Sequence, residues 1–265
     1  PDPVRVGSSL RVSSFNVLNY FLTLAISGPI CGPDQDEDCR GAYNSSEFTR
    51  QRDKLLQALY ILNADVVGLM ELENTPGVEP LQDIVNGLNG LTSPGTYDFI
   101  NVGTFNPGDV IKVGIIYKPG VVQPVGDFAI LNSLVDPEFD TSLNRPALAQ
   151  TFEEISNHGR FTVVVNHLKS KGCTGASGLN ADQGDGQSCW NLTRLQAVNA
   201  EMAWIGGDPT NSGDPDFIIL GDLNAYAKED PMTALAAGGY TNLETTFQGS
   251  DAYSYVYFAQ AGSLD

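Results

Sequence analysis

Positive charge is scarce in this chain. Fourteen Lys and Arg stand against 32 Asp and Glu, with only two histidines. A formal net charge of −18 excludes a protein that grips polyanions over a broad basic face, because a uniformly acidic surface repels phosphate. It leaves room for an enzyme that recruits divalent cations and holds an anionic substrate briefly. Long apolar runs are missing too. Stretches such as Val66-Val67-Gly68-Leu69-Met70 are far shorter than the ~20 residues that cross a bilayer, so no membrane span is expected. There is no C-x-x-C pair, which removes the commonest zinc and redox signatures. No glycine-rich phosphate loop, Ser-His-Asp spacing, repeat, heptad or low-complexity tail is found. The chain opens at Pro1 with no initiator Met or signal peptide, and it is read as part of a longer precursor.

The four cysteines form two local pairs, Cys31/Cys39 and Cys173/Cys189, in loops rich in Gly and Asp. Of the three possible pairings the local one closes the shortest loops, and two disulfides place the protein in an oxidising compartment. The alternative is a reduced protein with four unrelated thiols. Residues 22–46 and 172–190 are read as insertions carrying these staples. The acidic run Asp34 to Asp38 and the stretch Asp182 to Gly186 offer oxygen ligands for Ca²⁺ but lack the spacing of a calcium loop. A solvated acidic loop is the reading for the first, and the second stays a poorly spaced candidate calcium loop.

With 42% hydrophobic residues the chain can bury a sizeable core. Asp216-Phe217-Ile218-Ile219-Leu220 is a short continuous apolar run, the pattern of a strand buried on both faces. It ends in Gly221-Asp222-Leu223-Asn224, where extended geometry would aim Asp222 and Asn224 the same way. Similar strands are predicted over Leu10 to Leu18, ending near Asn16, over Asp65 to Glu71, and over Phe161 to His167. An ionised Glu71 at the end of an apolar strand is costly unless paired or bound to a cation. Glu73, two residues on, is read as a rim charge. Segments 97–102, 111–117 and 121–131 read as successive strands of a meander, with Tyr117 a rim aromatic. A helix capped by Ser45 or Ser46 carries Leu55, Leu56, Leu59 and Leu62 on one face. Further helices are predicted from Pro80 to Leu91, from Asn191 (a candidate cap) to Ile205, and over 230–237. The strand Tyr253–Tyr257 follows. His158 lies in a turn and is read as inert. His167 ends a core strand, with Lys169 and Lys171 close behind, a cationic cluster in an acidic chain.

Six motifs lie in order: Ser14-Phe15-Asn16-Val17-Leu18-Asn19, Gly68-Leu69-Met70-Glu71-Leu72-Glu73, Asn144-Arg145-Pro146, Val165-Asn166-His167-Leu168, Gly221-Asp222-Leu223-Asn224 and Ser263-Leu264-Asp265. On these the chain resembles the endonuclease/exonuclease/phosphatase superfamily, the deoxyribonuclease-like group, and within it the secreted bacterial extracellular nucleases. The resemblance covers nearly the whole chain. It implies an α/β fold, a four-layer sandwich of two mixed β-sheets flanked by helices, as a single domain over 1–265. It also implies a Ser-Asp-His motif beyond Asp265, so the sandwich is expected to be C-terminally incomplete. A polypeptide ending at Asp265 is then expected to be aggregation-prone and inactive, which intact mass measurement beside a nicking assay would check.

The resemblance also implies roles. Glu71, helped by Asn16, would hold Mg²⁺ or Mn²⁺, with Ca²⁺ a further candidate. Asp222 would orient or deprotonate the attacking water, with Asn224 fixing it. His167 and Arg145 would contact phosphate oxygens, with Asn166 and Lys169 beside them. Asp265 would orient the later histidine. The expected function is a secreted, metal-dependent, monomeric nuclease that binds DNA transiently and without sequence preference, with RNA a second candidate. Two alternatives are a phosphodiesterase of lipid headgroups and a catalytically incomplete matrix or adhesion module.

Overall fold

The computed structural model describes residues 10–105, 108–249, 253–257 and 260–262, the last two segments largely by their backbone. In chain order its elements are β1 (Val12–Tyr20), β2 (Pro29–Cys31), β3 (Glu37–Asp38), α1 (Ser45–Leu62), β4 (Val66–Glu73), α2 (Glu79–Leu91), β5 (Asp98–Phe99), β6 (Ile111–Tyr117), β7 (Val122–Leu131), β8 (Arg145–Glu154), β9 (Arg160–His167), α3 (Asn191–Gly206), β10 (Phe217–Asp222), α4 (Asp230–Ala237), α5 (Leu243–Gln248), β11 (Tyr255–Tyr257) and β12 (Gln260–Gly262). Two mixed four-stranded sheets result, ordered β1-β4-β6-β5 and β10-β9-β8-β7.

Side-chain alternation explains the layers. In β4, Val67 and Leu69 face the helices, packing with Leu55, Leu59, Leu81 and Ile84 of α1 and α2. Val66 and Met70 face the opposite sheet, against Phe152, Val163 and Val165. Gly68 shares that inward face, and a Cβ there would lie 2.3 Å from a Leu220 methyl carbon, so the sheets meet where the side chain is missing. The outer face of the second sheet packs Ala149, Val164 and Ile219 against Val198 and Ile205 of α3 and Leu235 of α4. The order is helices, sheet, sheet, helices, the four layers expected.

Several local expectations change. The middle strands are not one meander: β6 pairs with β4 and β5 in the first sheet, whereas β7 pairs with β8 in the second. The turn at Lys118–Val121 crosses between sheets, which strand patterning alone cannot show. Tyr117 is no rim aromatic; it is buried between the sheets against Phe152. Asn44 caps α1 by accepting the Glu47 N–H at 3.0 Å, in place of either serine. Asn191 is the first residue of α3, not its cap, and the Asn180 side chain accepts the Thr193 N–H instead. Helix α5 has no counterpart among the sequence expectations.

The staples pair as expected, Cys31 with Cys39 and Cys173 with Cys189. The first closes the small β2–β3 hairpin, whose acidic residues 34–38 are exposed. Glu73 is not a rim charge. It is 2% exposed and accepts the N–H groups of Leu22 and Thr23 at 2.8 and 3.1 Å, fastening the start of this insertion to β4.

Candidate active site

Strands β1, β4, β9 and β10 run in the same sense within their sheets and end together. β1 pairs with β4 in parallel, and β10 pairs with β9 in parallel with Asp222 opposite His167. β8 is antiparallel, so its first residue, Arg145, lies opposite His167. Three side chains of different chemistry thus stand in a row at one end of the second sheet. The first sheet brings Asn16 and Glu71 to the same place.

The backbone is bent to achieve this. Straight alternation would send Glu71 toward α1 and α2 with Leu69. Instead the β4–β6 register slips between Leu69 and Leu72, and Glu71 takes a left-handed φ of 65°. Leu18, Asn19 and Asn224 are left-handed too, with φ of 56°, 51° and 50°. Non-glycine residues so held cost of order 1–3 kcal/mol each and gather where function over-determines the backbone. Gly221 has φ 127°, and a Cβ there would sit 2.1 Å from the Asn166 carbonyl oxygen. Only glycine fits that approach.

Asn16 joins the two sheets. Its Nδ2 donates to Glu71 Oε1 at 3.0 Å and to Asp222 Oδ2 at 3.5 Å, while its Oδ1 accepts the Leu18 N–H. The second Glu71 oxygen accepts the Asn19 N–H at 2.8 Å. Nε2 of His167 lies 4.0 Å from Glu71 and 3.8 Å from Asp222. Despite these two carboxylates, burial, then the positive charges of Arg145 and Arg40, hold the imidazole well below its usual pKa, so it is neutral. Its Nδ1 is buried with no hydrogen-bond partner among the described residues. Burial raises the Asp222 carboxyl, the Asn224 N–H on its Oδ1 opposes that rise, and the nearby Glu71 charge adds to it.

Among the described residues, Glu71, His167 and Asp222 form a group whose ligand atoms lie within 4.8 Å of one another. Two carboxylates and a neutral imidazole place negative charge in a largely buried site, offset in part by the nearby Arg145 guanidinium that Asp109 also engages. That donor set suits a hard divalent cation, with Asn16 bridging the two anions.

The remaining site residues separate. Arg145 is nearly buried and pairs with Asp109 at 3.1 Å, a partner not foreseen. Lys169 holds its ammonium 5.2 Å above the Trp190 ring, and the adjacent Arg145 charge contributes, after burial, to lowering its pKa. Asn224 does not extend beside Asp222 as anticipated. Its left-handed turn sends Nδ2 to the Leu168 carbonyl at 3.1 Å, bracing the chain after β9. Asn166 is corrected: alternation puts it on the face of β9 opposite His167, where it is fully buried and donates to Glu201 at 2.6 Å. It is not free to contact phosphate. Lys171 leaves the cluster as well, pairing with Glu229 above Tyr226. His158 is exposed and pairs with Glu153, away from this cluster. Asp265 lies outside the described residues.

The Endonuclease/Exonuclease/phosphatase family model matches residues 13–262. The chain belongs to this family. No curated protein matches it in sequence. Among solved structures, the human nocturnin catalytic domain is similar with TM-score 0.59 and 15% identity, over 97% of this chain and 79% of that one. An endonuclease/exonuclease/phosphatase family protein from Bacteroides thetaiotaomicron gives 0.54 and 15%, over 87% and 69%. A mannosyl-6-phosphatase from the same species gives 0.50 and 15%, over 87% and 71%. At such identity the likeness establishes the fold. The family as a whole hydrolyses phosphate esters, and this chain is a phosphoesterase of that superfamily. Among the described residues, no helix is long and apolar enough to cross a membrane.

Proposed function

We propose that the protein is a divalent-metal-dependent nuclease that hydrolyses phosphodiester bonds of DNA, with RNA as a second substrate, and acts as a secreted monomer. The observation that carries this reading is the cross-sheet triad: one amide, Asn16, within hydrogen-bonding reach of carboxylates from two sheets, beside a neutral His167 and a nearly buried arginine. The two disulfides support the extracellular assignment.

In this reading Glu71, oriented by Asn16, would hold the cation, which when bound would neutralise phosphate charge and stabilise the transition state. Asp222, its proton affinity raised by burial, orients the attacking water and accepts its proton. Asn224 fixes the aspartate through its own N–H. The neutral His167 donates to a non-bridging oxygen, and Arg145 offers its guanidinium to another once Asp109 yields. Lys169 extends the positive rim.

The test is nicking of supercoiled plasmid with Mg²⁺ and Ca²⁺, compared with EDTA, beside linear and single-stranded DNA and RNA. Cation-dependent cutting that EDTA stops is expected. Turnover of a choline-phosphate lipid or a sugar phosphate with DNA left intact would contradict the assignment.

A further inference from the structure

The insertion 22–46 contains a single basic residue, Arg40. It is also the residue this insertion turns toward the site. Arg40 Nη2 lies 3.0 Å from Asp109 Oδ1, while the other oxygen of the same carboxylate is 3.1 Å from Arg145 Nη2. Two guanidinium groups are therefore held side by side on one small anion. Arg145 is 11% exposed and Arg40 is 43% exposed, so the pair runs from the floor of the site to its rim. The Asp109-linked pair adjoins the site, since Arg145 stands opposite His167 in the β8–β9 register. Its backbone is fixed from both directions. The preceding residue, Cys39, is buried and tied to Cys31, and two residues beyond Arg40 the Ala42 carbonyl accepts the Ala25 N–H at 2.9 Å.

We propose that Arg40 is a substrate-binding residue that takes the phosphate neighbouring the one being cleaved, so that Arg145 and Arg40 together read two successive phosphates of a strand. The proposal rests on the polynucleotide reading above. A nucleic-acid strand presents one negative charge about every 3.4 Å of axial rise, a spacing that paired guanidinium groups can meet. A substrate with a single phosphate cannot engage both. Asp109 holds the two arginines in place until substrate phosphates displace it. Its bond to the half-exposed Arg40 is readily exchanged, because exposed ion pairs contribute little. Arg40 and Arg145 share this one carboxylate and Lys169 lies within reach of their charges, which gives an otherwise acidic protein a local attraction for polyanions.

The experiment compares wild type, Arg40→Ala and Arg40→Lys on two diesters, a single-stranded oligonucleotide and bis(4-nitrophenyl) phosphate, across a salt series. Arg40→Ala should lose about tenfold more in kcat/KM on the oligonucleotide than on the small diester, the scale of one charged hydrogen bond. Its plot of log KM against log salt should flatten by about one unit, and Arg40→Lys should restore most of that slope. Equal losses on both diesters, or an unchanged salt slope, would overturn the second phosphate contact while leaving the nuclease reading intact. Wild-type hydrolysis of the small diester with no cutting of the oligonucleotide would overturn the nuclease reading and the Arg40 contact together.

Discussion

The strand-end cluster and the stapled rim are built on opposite principles. Asn16, Glu71, His167 and Asp222 stand at the ends of strands in two packed sheets, and their positions follow from sheet register and from left-handed turns beside them. Arg40, Asp109 and Lys169 stand on irregular chain held by a disulfide, an ion pair and an aromatic ring. The cluster has almost no freedom to adjust, so a lost group there removes a step of the chemistry. The rim is solvated, and a lost group there shifts affinity. The two stapled insertions show the same division. The first sends its only basic residue to the site, whereas the second, residues 172–190, has no Lys or Arg and is held by cations that flank it. Arg194 is fully buried, donating to the carbonyls of Lys169, Gln187 and Cys189, and Lys171 pairs with Glu229.

The largest effects should therefore come from the cluster. Asp222→Asn should lower kcat by about 10²–10⁴ with an unchanged circular dichroism spectrum. His167→Ala should cost on the order of 10², and comparable activity in either variant would erase the contrast with the rim. Smaller effects should arise at the staples. Replacing Cys31 and Cys39 by serine should raise KM for DNA several-fold through Arg40. Replacing Cys173 and Cys189 should act mainly on stability, by ~3 kcal/mol in the chain-entropy picture. If both pairs moved only the melting temperature, the first insertion would have no part in binding.

A buried group behind the cluster gives a pH signature. Glu201 is fully buried against Asn166, and burial pushes its carboxyl up to about 7. The folded state binds this proton more tightly than the unfolded chain does. Its contribution to stability is thus fully present below the ordinary carboxylate range and is lost as pH rises through about 7. The wild-type melting temperature should fall between pH 5 and 8 by several degrees more than that of Glu201→Gln. Equal falls would contradict the assignment. The smallest effect belongs to His158→Ala, which should leave activity within about twofold.

Much of this contrast is legible in the sequence. Apolar runs such as Val66–Met70 and Phe161–Val165 specify buried strands, and polar residues at their ends mark the site. Alternation in β9 even separates Asn166 from His167, because a period of two puts neighbours on opposite faces. What stays hidden is non-local or conformational. Nothing in Leu69-Met70-Glu71 announces a left-handed glutamate, since any residue can be forced there by packing around it. The Arg40–Asp109–Arg145 chain links three loops and strand ends far apart in sequence, although Arg40 beside Cys39 was a signal available to reading. Glu201, between Val198 and Ile205 on the apolar face of α3, was another. Tyr117 and Glu73 read as rim residues only while the packing of the opposite sheet and of the insertion was unknown.

The most direct test removes one charge from the cluster and keeps its shape. DNA hydrolysis by wild type and Glu71→Gln, in the protein that carries this chain, is measured against Mg²⁺ concentration from EDTA-treated to millimolar. Wild type should be silent in EDTA and saturate with the cation. Glu71→Gln should lose about 10²–10⁴ in rate and need far more cation to recover any of it. A Glu71→Gln enzyme with more than about a tenth of wild-type activity at the same Mg²⁺ midpoint would contradict the account.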